Sequence, residues 1–181
     1  MFKSPRQVPG RRRDASEPTA PPARSAYLDG LRMLARRELS EAQVRQRLER
    51  KGHAPDEIEG AIERLRSERA INDERVAEAI AHTEVVIRRR GKLRIRRQIE
   101  QAGIAPATAK RAIDTVFGDV DDKALLEAAL TKRLHGRTDI ETDAEFRRLY
   151  RYLVGQGFES DRVVVALKRH ARGRHLKSHL D

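Results

Sequence analysis

From Ala26 to Leu167 the apolar residues of this chain recur at three- and four-residue intervals, the spacing that places them on one face of an α-helix. Tyr27, Leu31 and Leu34 make the first stripe, which ends near Glu38. Ser40 and Gln43 have the spacing of a capping box, and Val44 and Leu48 carry the next helix to Gly52, a residue suited to the left-handed turn that closes a helix. Pro55 sits where a first helical residue belongs, with Asp56 and Glu57 in the turn that favours negative charge, and Ile58, Ala61, Ile62 and Leu65 as its stripe. Asn72 and Asp73 open a helix through Val76, Ala79, Ile80, Val85 and Val86, which Gly91 breaks. Helices follow with Ile95, Ile99 and Ala102 inward, then from Pro106 with Ala109, Ala112, Ile113 and Val116, and from Asp121-Asp122 through Leu126, Leu130 and Leu134 to Gly136. Thr142 and Glu145 repeat the capping-box spacing ahead of Phe146, Leu149, Tyr150 and Leu153, and Ser160 is placed to cap the last helix, with Val163, Val164, Ala166 and Leu167. No segment alternates apolar and polar residues between hairpin turns, so strands are not expected.

The stripes repeat on a larger scale. The windows Leu48 to Ile62, Ile99 to Ile113 and Leu153 to Leu167 each read aliphatic, three residues, Gly, eight residues, Ala, aliphatic, at offsets of 51 and 54 residues. Gly52, Gly103 and Gly157 share one position, and Ala61, Ala112 and Ala166 another. A glycine that ends one helix and an alanine that lets the next pack closely are the marks of one supersecondary unit used three times. The expected fold is all-α: tandem three-helix repeats, about nine helices, forming an elongated, curved array. Its segments are a Pro/Arg-rich arm over 1–24, repeats over 25–71, 72–118 and 119–170, and a basic tail over 171–181. Five of the seven prolines fall in the arm, which is expected to be disordered.

Charge narrows the partner class. The 181 residues hold 39 Lys and Arg against 28 Asp and Glu, for a formal net charge of +11, which points to nucleic acid or to protein bound to it. The two ends carry most of the excess: Lys3, Arg6, Arg11, Arg12, Arg13 and Arg24 outnumber Asp14 and Glu17, and Lys168, Arg169, Arg172, Arg174 and Lys177 outnumber Asp181. Between them, Arg88 to Arg97 concentrates Arg88, Arg89, Arg90, Lys92, Arg94, Arg96 and Arg97 in ten positions without one acid. A helix pinned by Ile95 and Ile99 would present these cations at fixed positions, so they are the expected principal contact surface, extended by Arg147, Arg148 and Arg151 and by Lys168 and Arg169. The competing expectation is that Glu84, Glu100 or acids of a neighbouring helix neutralise the run internally.

Catalytic chemistry finds little footing. The chain has no cysteine, which removes disulfides and thiolates and suits a reducing compartment; no apolar run is long enough for a membrane span, and a soluble cytoplasmic monomer is expected. Asp119, Asp121 and Asp122, and Asp139, Glu141 and Asp143, sit where helix N-termini want negative charge rather than as metal carboxylates. His170, His175 and His179 fit a frayed basic tail better than a metal site. No Walker loop, dinucleotide fingerprint or nucleophile elbow occurs, so neither catalytic residues nor a cofactor is expected. Tyr150 is expected in the core and Tyr152 partly exposed.

Leu34-Ala-Arg-Arg37-Glu-Leu-Ser40, followed by Val44, Leu48 and Lys51-Gly52, resembles the opening of the RecX regulatory proteins. Ala70-Ile-Asn-Asp73-Glu-Arg75-Val-Ala77, then Gly91-Lys92 with Arg94-Ile95 and Gly103-Ile104, then Gln156-Gly157-Phe158, resemble their later signatures in the same order. The resemblance covers about residues 26 to 170. Val76 stands where the family usually has an aromatic residue, Ile99 where it has Leu, and Gln156 where it has a basic residue. The resemblance implies a non-enzymatic regulator of homologous recombination and the SOS response. Such a protein would bind filaments of the RecA recombinase on single-stranded DNA and dampen their ATPase and strand exchange. The residues alone reach only a basic helical repeat protein for a polyanion, and a stand-alone DNA- or RNA-binding protein is the alternative.

Overall fold

The structure is a computed structural model and describes residues 25–118 and 120–172. Its helices are α1 (Ala26–Leu34), α2 (Glu41–Arg50), α3 (Pro55–Ser67), α4 (Asp73–His82), α5 (Lys92–Gln101), α6 (Pro106–Phe117), α7 (Asp122–Leu134), α8 (Asp143–Gly155) and α9 (Ser160–His170). Between α4 and α5 the chain makes one π-helical turn, Thr83–Ile87. The arm 1–24, Asp119 and the tail beyond Arg172, with His175 and His179, lie outside the described residues.

Three hydrophobic clusters form, one for each set of three helices: Val44, Leu48, Ile62 and Leu65 in the first, Ile95, Ile99, Ala109 and Ile113 in the second, Leu130, Leu149, Leu153 and Leu167 in the third. Leu125 packs against both the second and the third. The repeated aliphatics Leu48, Ile62, Ile99, Ile113, Leu153 and Leu167 are all buried, as are Ala61, Ala112 and Ala166. Gly52, Gly103 and Gly157 all take positive φ, at 84°, 78° and 92°. In each, the left-handed turn returns the chain toward the helix just completed, so His53, Ile104 and Phe158 donate to the carbonyls of Leu48, Ile99 and Leu153.

The middle helices α2, α5 and α8 are joined end to end. The N–H groups of Gly91 and Leu93, at the start of α5, donate to the carbonyls of Gln156 (3.0 Å) and Gly157 (3.1 Å), at the end of α8. At the other end of α5, the Ala102 carbonyl accepts the hydroxyl of Ser40, the N-cap of α2. A Cβ at Gly91 would overlap the Gly157 carbonyl, and one at Gly103 would overlap the Ala42 side chain, so both joints depend on glycine for close approach.

Several local expectations change. The inner face of α1 is Ala26, Asp29 and Gly30, with Tyr27, Leu31 and Leu34 only partly buried at its flanks, because Gly30 lets the helix backbone close on Leu65. The π-turn adds a residue to the end of the fourth helix, turning Glu84 and Val85 inward and leaving Val86 57% and Ile87 73% exposed; Ala79 is exposed too. Thr142 caps α8 by accepting from the Glu145 N–H, but Glu145 does not complete the box, since its buried carboxylate takes the Arg137 guanidinium and the Glu141 N–H instead. Glu159 rather than Ser160 is the N-cap of α9, without a side-chain cap. The last helix is anchored rather than frayed. His170 holds the Thr138 carbonyl through Nδ1 (2.8 Å) and Glu127 through Nε2 (3.0 Å), and a parallel bridge joins Ile140 to Ala171, which is buried in the third cluster.

Ile99 is fully buried at the centre of the second cluster. Ile99→Ala is expected to destabilise the protein by about 2–5 kcal/mol, the range for a buried aliphatic truncated to Ala. Denaturant unfolding checks it: a midpoint equal to that of the wild type would place Ile99 outside the stabilising core.

Candidate functional site

The basic run divides into an inner and an outer set. Arg88 and Arg90 donate to the two oxygens of the buried Glu84 carboxylate, at 2.8 and 2.6 Å. Lys92 lies 2.8 Å from Asp122 at the start of α7 and 4.7 Å from the centre of the Phe117 ring. Arg94 reaches across the α5–α8 joint to donate to the Gly155 carbonyl at 2.9 Å, adding a guanidinium to the C-terminal end of α8 where cations are favoured. These four hold the second unit together or fasten it to the third. Arg89, Arg96 and Arg97 are exposed, and none has a carboxylate within ion-pair distance among the described residues. Lys110 foremost, then Lys92 and, a little, Arg96 hold the Asp114 carboxyl below the usual carboxylate range. Arg89 itself sits at φ 52°, a left-handed conformation that a side chain rarely adopts, where the π-turn gives way to the loop.

Charged residues expected on the third unit are more dispersed. Arg147, Arg148 and Arg151 are exposed on α8, with Arg148 3.9 Å from Glu145, and Arg169 on α9 lies 3.6 Å from Glu127. Lys168 is half-buried on the same helix. The acids Asp121 and Asp122 serve the start of α7: Asp121 caps it through the N–H groups of Lys123 and Ala124, while Asp122 pairs with Lys92 and Arg162. Tyr150 is half-buried against the third cluster. Tyr152 is half-buried too, its ring 5.0 Å from the Arg133 guanidinium.

A second concentration of positive charge lies in the first unit, where sequence reasoning did not place one. A cleft of about 620 Å³ opens between α1 and α2, lined by Arg32, Met33, Arg36, Arg37, Arg47, Arg50 and Lys51, with Asp29 at its floor. The Asp29 carboxylate is buried and already surrounded by Lys51 at 3.0 Å, His53 at 3.2 Å and Arg32 at 3.3 Å. Lys51 foremost, with His53 and Arg32, holds the Asp29 carboxyl down to about 2 against the opposing effect of burial. Burial first, and then repulsion from Arg37 and Arg50, pulls the Arg47 guanidinium below its ordinary value. The signal available in the sequence was Asp29 itself, an acid between Ala26 and Gly30 on a face that should be apolar.

Comparison with known proteins places this geometry. Residues 26–65, the whole first unit to near the end of α3, match the model of the first three-helix domain of RecX. The regulatory protein RecX of Syntrophotalea carbinolica is 35% identical over 141 residues, covering 77% of this chain and 92% of that protein. The chain belongs to the RecX family. The RecX of Chromohalobacter salexigens is 32% identical over 142 residues, covering 77% of this chain and 88% of its own. Among solved structures, the crystal structure of RecX from Lactobacillus salivarius superposes with a TM-score of 0.63 at 19% identity, over 80% of this chain and 93% of that one; a second RecX structure gives 0.66 at 20%, over 80% and 70%. The RecX fold is thus shared across all three units. No helix of the described residues is long and apolar enough to cross a membrane.

The Asp29 network gives a pH dependence with a definite sign. Its folded-state value lies below that of an unfolded aspartate, near 3.9, so its contribution is fully present above about pH 4 and is lost as pH falls toward 2. Asp29→Asn is expected to flatten the decline of the urea midpoint between pH 4 and 2, relative to wild type. Parallel pH profiles for the two proteins would remove Asp29 from the acid sensitivity of the fold.

Proposed function

We propose that this protein is a non-enzymatic regulator of the RecA recombinase. It binds RecA filaments on single-stranded DNA, as a monomer, and restrains their ATPase and strand exchange. The observation that carries this reading is membership of the RecX family along nearly the whole helical array, with every unit present and in order. The distribution of surface chemistry supports a partner that is protein and phosphate together. Arg89, Arg96 and Arg97 leave their charge unspent on internal pairs, suiting phosphate or carboxylate. Val86 and Ile87, exposed beside Arg89, offer apolar area that bare nucleic acid backbone would not use. Three separate cores in series give a long face, able to follow a filament groove and touch several subunits at once.

The test is recombinase ATPase on single-stranded DNA already fully coated, with this protein added last. Inhibition at amounts far below the concentration of DNA sites is expected, and inhibition only at amounts sufficient to cover the DNA would mark a stand-alone nucleic-acid-binding protein. Arg96→Ala with Arg97→Ala should leave the melting temperature close to that of the wild type, because neither side chain has an internal ion pair. The same pair should weaken inhibition about tenfold or more, since each hydrogen bond to a charged group contributes about 1.5–3 kcal/mol. Undiminished inhibition by that folded variant would move the contact face off α5.

A further inference from the structure

The cleft between α1 and α2 has a charge that the rest of the first unit does not balance. Six cations line it, Arg32, Arg36, Arg37, Arg47, Arg50 and Lys51, against the single carboxylate of Asp29. That carboxylate is engaged by Arg32, Lys51 and His53. The cleft also sits against the C-terminal ends of α1 and α2, which together supply about one negative charge; an excess of about four positive charges remains. Elsewhere on the unit, arginines find acids: Arg45 pairs with Glu41 and Glu59, Arg64 with Glu68, and Arg66 with Glu41, while Glu38 beside the cleft is taken by Arg75 of the second unit. In the cleft, Arg36, Arg37 and Arg47 have no carboxylate within ion-pair distance among the described residues, and Arg50 bonds only to the neutral Gln46.

Crowding of like charges is costly unless a counter-anion enters, and the repulsion of Arg47 by Arg37 and Arg50 shows that these groups are near enough to feel one another. The lining has no aromatic side chain, so it provides nothing for a base to stack on. Its donors are guanidinium groups, which match the paired oxygens of phosphate. Arg37 also lines an adjoining groove with Arg88 and with Gln98 and Gln101 of α5, so the cleft lies beside the basic run and adds contacts on the first unit.

We propose that this cleft is a phosphate-binding site for the backbone of single-stranded nucleic acid, with Arg36, Arg37 and Arg47 as its anionic-ligand contacts and Asp29 as the post that holds Lys51 and Arg32 at its rim. The proposal deepens the reading as a regulator of nucleoprotein filaments by giving the first unit a direct hold on DNA, and it takes any sequence, since the backbone alone is recognised.

Binding of the full-length protein to an oligo-dT strand without recombinase, measured across a salt series, tests it. Each phosphate contact to a single strand adds about 0.7 to the slope of log affinity against log salt. The triple variant Arg36→Gln, Arg37→Gln, Arg47→Gln is therefore expected to bind more weakly and to lose about 2 from the slope. Arg36→Gln with Arg37→Gln, which leaves the half-buried Arg47 in place, should lose about 1.4 and guards against a folding defect. Unchanged affinity and slope in the folded double variant would overturn the site. So would unchanged DNA binding with weakened inhibition of coated filaments, because the cleft would then hold an acidic protein segment, and the regulatory reading itself would stand. Displacement of the oligonucleotide by inorganic polyphosphate in wild type, and at higher polyphosphate concentration in the double variant, is the expected companion result; equal displacement curves would count against it.

Discussion

The end-to-end joint between middle helices is the contact on which the arrangement of this protein depends. A helix end leaves backbone donors or acceptors without partners, and a buried one must find them elsewhere. Here the carbonyls closing α8 meet the N–H groups opening α5, and the Ala102 carbonyl after α5 meets the hydroxyl opening α2. The positive end of one macrodipole faces the negative end of the next at each joint. Three small cores, each too limited to dictate the position of its neighbours, are thereby set in a fixed order and orientation. Gly91 and Gly157 at one joint, and Gly103 at the other, remove the side chains that would keep the backbones apart.

This constraint explains why a dense basic run is not simply a binding surface. Arg94 crosses the joint to the end of α8, Lys92 ties α5 to α7, and Arg88 with Arg90 converge on a carboxylate that the π-turn buries. A buried carboxylate between two guanidiniums stabilises only when both partners are in place, and removal of either leaves a charge poorly compensated. Four of the seven cations of the run thus build the scaffold, and the three that remain at the surface are held by it. The first unit solves the same problem differently: Asp29 gathers Lys51, His53 and Arg32, while Arg36, Arg37 and Arg50 face solvent and Arg47 is half-buried.

The helices and the three-fold repeat were legible because they rest on local chemistry: the 3.6-residue stripe, the Ser40–Gln43 box, Pro55 and Pro106 at first helical positions, and glycines with positive φ. The pattern placed Leu48, Ile62, Ile99, Ile113, Leu153 and Leu167 in the core, but not Leu39 and Ile140, which are fully buried from positions outside the helices. It failed where a residue acts through a partner far along the chain. The spacing of Glu145 from Thr142 predicts a capping box, but Arg137 takes the carboxylate. The stripe through Val85 and Val86 assumes an unbroken α-helix, and the extra residue of the π-turn turns Val86 out and Glu84 in. The Ile140–Ala171 bridge joins a loop to a segment that composition alone marks as tail. The cleft in the first unit was hidden for the same reason: its arginines come from α1, a loop and α2, interspersed with acids along the chain but not in space.

The most direct test of this account changes the joint and none of the charges. Gly91→Ala places a methyl group against the Gly157 carbonyl and leaves every arginine and lysine in the chain. Inhibition of ATPase on coated filaments by this variant, compared with wild type at conditions where circular dichroism shows equal helix content, separates the geometry of the array from its charge. Inhibition is expected to fall sharply, because the second and third units no longer hold their faces in register. Full inhibition by a variant whose joint is shown to be opened, by faster amide exchange at residue 91 and Leu93, whose N–H groups bond to the Gln156 and Gly157 carbonyls, would contradict it.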